Sequence, residues 1–503
     1  YPNGKKQNEG FFKKGMQDSV YREWYTTGNI KEIGWFKHGQ RDSSWISFNQ
    51  DSAKIKELRY ITNDTVLLVH YWDQAGKQLV KDGDGMYVEH WPSGKIKEKG
   101  SYKNYLQEGL WEFYFENGNL RAKGSFTKGE RSGQWQMFYE DGTKSESLNY
   151  DNGLNTFWFR DGKKETEGWI KNGNKDSLWS FWYEDGTLRN QQTYKNGKRH
   201  GLQTKWYRNG NKEAEVNFSL DKKNGEAHWW FEDGKKDMDG AFIDDVQNGE
   251  WTYWRKDGGK GNQGFYKNGQ QNGKWTWWYA NGAVWKEGEY EDGVKHGLWV
   301  TYYENGKKEH EGSFVDGKED GFWQQWFENG SLSLTGYFKT ALMDGLWQAW
   351  FENGKKKYEI EYKDHKINGR ATYWYDTGIK QLEKFMTNGI LNGPYTTWFP
   401  DGKINVNGAY KNERKEGQWQ LYNQRGTLIR QEQYLNGFPE GKWLEFYDEG
   451  PRQNVVMYKK GNREGVSSYY DIKGTLIYKV VYKNSKIVKV KKDIRQKNQT
   501  IQN

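Results

Sequence analysis

Residues 297–320, Gly-Leu-Trp-Val-Thr-Tyr-Tyr-Glu-Asn-Gly-Lys-Lys-Glu-His-Glu-Gly-Ser-Phe-Val-Asp-Gly-Lys-Glu-Asp, decide the fold, because the same row returns every 24 residues. The anchor position, occupied here by Trp299, recurs at 155, 179, 203, 227, 251, 275, 299, 323, 347, 371, 395, 419, 443 and 467 without insertion or deletion. Upstream the frame runs through Tyr21, Trp45, Tyr87, Trp111 and Trp135, with a step four residues shorter between 135 and 155 and an irregular unit near Leu68. About twenty units result, and Tyr1-Pro-Asn-Gly4 reads as the second half of one.

Within a unit, the position three after the anchor is aromatic almost throughout (Trp182, Trp206, Trp230, Tyr302, Trp326, Trp350), and His90 breaks the set. Seven after the anchor comes Gly, usually behind Asn or Asp, as at Gly186, Gly306 and Gly354. Asn-Gly between strand formers predicts a tight two-residue hairpin in which both turn residues take positive φ. A second strand follows, with Gly thirteen and an aromatic fifteen after the anchor (Gly288 and Tyr290, Gly312 and Phe314). Gly and ring share a face at period two, so a ring from a neighbouring strand is expected to cover the bare Gly. A second Gly turn and a closing Gly two before the next anchor complete the unit.

Two strands and two turns in 24 residues leave no room for a helix or crossover, so successive strands must be antiparallel neighbours. The expected fold is all-β: one long twisted meander of about forty strands, roughly 190 Å along its axis if it stays open. Three stretches are expected: partly irregular repeats over 1–86, regular repeats over 87–474, and basic capping strands with a tail over 475–503.

Composition fits this reading and narrows the function. Only 34% of 503 residues are hydrophobic, whereas 29 are Trp, so rings must do the packing. There is no Cys, which excludes disulfides and thiolate metal sites. No run of 18 apolar residues exists, so no transmembrane helix is expected, and Tyr1 opens the chain without a signal-like segment. Of the net charge of +9, residues 475–503 carry +7, leaving about +2 elsewhere. A near-neutral body excludes a continuous phosphate-binding stripe, and hence nucleic acid as partner.

The string Tyr194-Lys-Asn-Gly-Lys-Arg-His-Gly201, followed by Trp206-Tyr207-Arg-Asn-Gly210, resembles a MORN repeat. Its Gly-x-Trp-x-x-Tyr-Tyr-x-Asn-Gly-Lys rhythm is similar to the bacterial variant carried by the YwqK family antitoxin group, and the likeness covers about residues 1–474. It departs from the eukaryotic-type unit in placing two aromatics, Trp299 and Tyr302 for instance, on the first strand. The resemblance implies elongated single-sheet arrays that scaffold protein assemblies, dimerise or touch acidic lipid. The antitoxin label belongs to the group's name, and no residue here marks a toxin-neutralising surface.

Candidate chemistry is sparse. None of the eight His forms a metal-ligand pair at close spacing, although stacking of repeats would bring His200 and His228 near each other. Asp82-Gly-Asp84-Gly-Met-Tyr-Val-Glu89 faintly resembles a calcium loop but lacks its Asn and Gly spacing, so a tight turn is the plainer reading. No nucleophile elbow, phosphate loop or dinucleotide fingerprint occurs, and acidic residues are spread evenly over the turns. Catalysis needs a concentrated, irregular constellation, so neither an enzyme nor a cofactor is expected.

The aromatic rows therefore carry the functional question. Trp299, Tyr302, Trp323, Trp326, Trp347 and Trp350 are read as structural repeat aromatics. The near-invariant position of Trp326 and Trp350 is expected to be core, and the variable anchor position is the better candidate for a ligand-facing ladder. The expected function is an extended protein-binding surface in a bacterial envelope or extracellular assembly. Glycan or cell-wall binding through aromatic ladders, or a cytoplasmic binding protein, is the alternative. After Gly474, Leu476–Tyr482 and Ile487–Val490 read as closing strands. Lys483, Lys486, Lys489, Lys491 and Lys492 are then either guards of an open edge or a tether to acidic lipid or an acidic partner.

Overall fold

The computed structural model describes residues 1–62 and 65–494; residues 495–503 of the expected tail lie outside them. The described residues form 44 strands and no helix. The chain divides into two compact units, Tyr1–Val246 and Gln247–Asn503. Within each unit successive strands pair antiparallel, as the expected meander requires, and two of them are each broken into a short and a longer piece that pair with the same neighbour.

One unit shows how the repeat is built. Strand Val294–Tyr302 turns at 303–307 into Lys308–Val315, which turns at 316–317 into Lys318–Trp326. The two turns differ, and here the expectation needs correction. At Asn305-Gly306 only the glycine has positive φ, at 81°. Gly306 N–H bonds the Tyr303 carbonyl at 2.9 Å and Tyr303 N–H bonds that of Lys307 at 2.8 Å. This is a three-residue loop, a type I turn closed by a left-handed Gly. Asn305 serves it through its side chain, whose Oδ1 accepts from Lys307 N–H at 2.9 Å, and so does not need the left-handed region. The true two-residue turn is the second one, with Asp316 at φ 49° and Gly317 at 74°.

Core packing reverses the expected roles of the two aromatic positions. Trp299 is 5% exposed, and its ring lies flat on Gly288 of the preceding strand, where an added Cβ would fall 2.2 Å from the indole. Gly264 under Trp275, Gly336 under Trp347 and Gly408 under Trp419 repeat the arrangement. Tyr290 meets Trp299 edge-on at 5.1 Å. Beside Gly288 the register slips between Glu287 and Glu289, with Gly297, the closing Gly, at φ 64°. The Trp299 indole N–H bonds the Glu289 carbonyl at 3.0 Å at this slip. Trp326 and Trp350, three after their anchors, are only half-buried. The physical reason is strand parity: an odd offset places them on the face opposite the glycines, so they have no bare backbone to lie on.

In three repeats the glycine and the ring are replaced together, whereas Tyr395 keeps its ring opposite Lys384. Val216 opposes Ala227, Ile360 opposes Ala371 and Gln192 opposes Gln203 in the same two positions.

Successive units are joined along the turns. Tyr303 Oη donates to the Trp326 carbonyl at 2.8 Å, Asn305 Nδ2 to that of Glu328 at 3.1 Å and Lys307 Nζ to that of Asn329 at 2.7 Å. On the opposite edge, Glu416 accepts from Asn436 N–H at 2.7 Å, which holds the next two-residue turn. Each bond links one unit to the next, which is nearest-neighbour coupling.

The irregular unit near Leu68 is absorbed into the array: Leu68, Tyr71, Val80, Tyr87 and Trp111 form one core cluster. The closing strands are present as Leu476–Lys483 and Lys486–Asp493.

Candidate interaction faces

Strand parity gives each unit two chemically distinct faces. One, the ring face, carries the anchors, their glycines and the edge-on aromatics. Above several anchors stands a cation from four residues earlier: Arg131 lies 4.3 Å from the Trp135 ring, Lys175 4.2 Å from Trp179, Lys295 4.4 Å from Trp299 and Lys415 4.4 Å from Trp419. Burial pushes the Lys175 ammonium below its ordinary range. A cation held over an indole gains about 0.5–2 kcal/mol, and here it also closes the ring off from water. The sequence carries this signal as Lys or Arg four before a Trp, a spacing that composition alone does not reveal.

On the opposite face, the position just before the anchor is exposed and apolar in two runs of three successive repeats, whereas Glu226, Glu250, Lys274, Arg370 and Gln418 hold it in others. In the second unit Leu298, Phe322 and Leu346 succeed one another at 55%, 43% and 40% exposure, and Tyr337 stands opposite Phe322 with ring centroids 4.9 Å apart. In the first unit Leu154, opposite Trp169, is followed by Leu178 and Leu202, all exposed. At two strands per unit the rungs are about 9.6 Å apart, so three span roughly 20 Å.

Beside this row runs a ladder of ion pairs, Lys164–Glu167 at 2.7 Å and Lys356–Glu359 at 2.6 Å among them. The lysines also sit over the rings three after the next anchor: Lys308 is 5.7 Å from Trp326 and Lys356 5.8 Å from Trp374. Exposed pairs of this kind contribute at most about 1 kcal/mol each; their effect is to make the face polar around the leucines. Tyr302 belongs here, and its Oη donates to Glu287 at 3.0 Å. Burial first, then Glu287, pushes its hydroxyl up to about 12.

The six expected aromatics thus separate. Trp299 and Trp347 are buried on the ring face, Trp323 is half-buried there, and Tyr302, Trp326 and Trp350 are half-buried on the leucine face.

Irregularity concentrates in the first unit. A cavity of about 340 Å³ is lined by Lys54, Tyr71, Trp72, Tyr87, Glu89 and His90 among others. Glu89 and Glu98 stand directly opposite across two strands. Burial, then the Glu89 charge, raises the Glu98 carboxyl above the ordinary range, while Lys97 pairs with Glu89 at 3.2 Å. Asp82-Gly83 is the tight turn of the plainer reading, at φ 52° and 79°, and Asp84 Oδ1 accepts from Asn104 N–H at 2.6 Å. His228 is engaged by Asp239 at 2.8 Å. At the far end, Lys483, Lys486, Lys489, Lys491 and Lys492 are all exposed.

A fixed-period array of antiparallel hairpins, coupled only to neighbours and bearing two differentiated faces, is a β-repeat protein. Eight segments match the MORN repeat variant, at residues 84–104, 107–128, 131–152, 175–196, 199–219, 271–292, 295–316 and 343–364, so MORN-type repeats are present over those segments. Comparison with curated proteins gives no match. Solved structures similar to the chain include the TcdB2-TccC3-Cdc42 complex, at 9% identity over 96% of this chain and 31% of that one, with a TM-score of 0.14. TcdB2-TccC3 matches at 9% over 98% and 32%, with a TM-score of 0.14. The Tc holotoxin pore of Photorhabdus luminescens matches at 10% over 97% and 28%, also at 0.14. The chain spans about a third of the length of these proteins.

Proposed function

We propose that the chain is a non-catalytic scaffold whose leucine face binds a protein partner, as part of a bacterial envelope or surface assembly. The observation that supports this reading is the run Leu298, Phe322, Leu346, exposed at the same position in three successive units and flanked by paired charges. An apolar centre inside a polar rim is the anatomy of protein interfaces, and equal spacing lets one partner engage several rungs, each weak alone. The test is affinity capture from the native source with the wild-type chain and with Leu298, Phe322 and Leu346 changed together to Asp. A stoichiometric protein partner captured by the wild type and lost by the variant is expected. Capture unaffected by the triple change, or no stoichiometric partner at all, overturns the reading.

A further inference from the structure

The second unit holds, on its ring face, a cavity of about 420 Å³ that the leucine-face reading does not use. Lys286 and Lys295 line it together with Trp285, Trp299, His310 and Trp323. Several ring-face cations have carboxylate partners, Arg41 with Glu32, Arg199 with Asp221 and Lys415 with Glu432, while Lys175 stands alone over its ring. Among the described residues neither Lys286 nor Lys295 has a carboxylate partner. Lys286 Nζ lies 4.3 Å from the Trp285 ring and Lys295 Nζ 4.4 Å from Trp299, two ammoniums held over indoles. Burial, then Lys295, pushes the Lys286 ammonium below its usual range.

The wall opposite is also unfinished. Trp323 is the anchor indole whose N–H has no acceptor among the described residues, whereas Trp299 and Trp347 bond backbone carbonyls at 3.0 and 3.1 Å. His310 stacks on Trp323 at 6.5 Å, 17° from parallel. Glu309 also lines the space, with its carboxylate 4.0 Å from His310 Nδ1.

We propose that this cavity binds a sugar ring bearing a carboxylate, a uronic-acid unit of a glycan. The two ammoniums supply charge-assisted bonds to the carboxylate. Trp285, 40% exposed, offers a flat apolar surface to the C–H face of the ring. Glu309 and Thr301, which also line the space, accept from the hydroxyls of the sugar ring.

The test is calorimetric and Trp-fluorescence titration of the full chain with trigalacturonate and with its methyl ester at low ionic strength. Saturable binding of the acid is expected, at least about tenfold tighter than the ester. Lys286→Met and Lys295→Met are each expected to weaken it by about tenfold or more, Lys295→Arg to retain it, and Lys175→Met, in the other unit, to leave it unchanged. Hydrogen exchange of 284–326 confirms that each variant is folded. Equal affinity for acid and ester, no binding of the acid, unchanged binding by both folded Met variants, or displacement of the sugar by anionic phospholipid vesicles overturns the proposal.

Discussion

Ile360 stands directly opposite Ala371 on adjacent strands, in the two positions that Gly264 and Trp275 occupy elsewhere in the same unit. Both are buried, Ala371 completely, so one rung is filled by a branched side chain against a methyl and another by an indole against bare backbone. Either solution fills the same volume at interior density. Mixing them does not: Ala371→Trp is expected to overpack and destabilise its segment by about 1–3 kcal/mol or more. Adding Ile360→Gly is expected to recover much of that loss. Urea unfolding read by hydrogen exchange over 356–374, run as a double-mutant cycle, checks it; additive effects would show that the two positions do not share a volume.

That relationship explains which parts of the molecule were legible in sequence. The period, the two strands per unit and the absence of room for a helix follow from the spacing of Trp299, Gly306 and Gly312 alone. The roles of the aromatics do not follow, because constancy of a position from repeat to repeat is no sign of burial. The anchor varies since its volume is shared with a partner on another strand, as Gln192 with Gln203 shows, whereas Trp326 is constant while half-exposed beneath Lys308. The turn type was hidden for a similar reason: Asn-Gly serves either a two-residue loop through backbone φ or a three-residue loop through the Asn side chain. The leucine row and the unpaired Lys286 and Lys295 emerge only when register assigns each position to a face.

Trp299→Ala removes a buried indole and leaves Gly288 uncovered, so a local loss of about 3–5 kcal/mol is expected. Trp326→Ala, from the half-buried position, is expected to cost distinctly less. Because units couple only to neighbours, protection should fall over roughly 284–326 in the first variant and persist near Trp419. Hydrogen exchange resolved by segment checks both; uniform loss along the chain would contradict nearest-neighbour coupling.

Thr340 and Ala341 form a two-residue turn with φ of 52° and 67°, a region that costs non-glycine residues about 1 kcal/mol or more each. Replacing the pair by Asn-Gly, the dipeptide such turns favour, is expected to stabilise the segment by about 0.5–2 kcal/mol. A higher urea midpoint for 332–350 is the readout, and an unchanged or lower midpoint counts against relief of strain.

Glu98 links the first unit's stability to pH. Its carboxyl is raised in the folded chain by burial and by Glu89 opposite, so the folded state holds the proton more tightly than the unfolded one. Stability is therefore lost as pH rises from the ordinary glutamate value of about 4.3 through the raised folded value. Glu98→Gln is expected to flatten that dependence and to be the more stable form at neutral pH. Unfolding of 84–114 followed from pH 4 to 8 tests the sign; a wild-type segment that gains stability across this range would refute it.

The strand Lys486–Asp493 is exposed along its whole length and, among the described residues, pairs on one side only, with Leu476–Lys483. Ile487, Val488 and Val490 are 48%, 58% and 53% exposed, which makes a β-prone edge open to pairing with another chain. Lys486, Lys489, Lys491 and Lys492 are interleaved with them, and bringing two such edges together would set these charges against one another. The basic cluster is therefore expected to act as an edge guard. Changing these four lysines to Thr keeps strand propensity while removing the charge, and concentration-dependent association in sedimentation velocity should follow, reversed by restoring Lys489 and Lys491. A variant that stays monomeric but no longer cosediments with anionic vesicles, where the wild type does, would assign the cluster to a lipid tether instead.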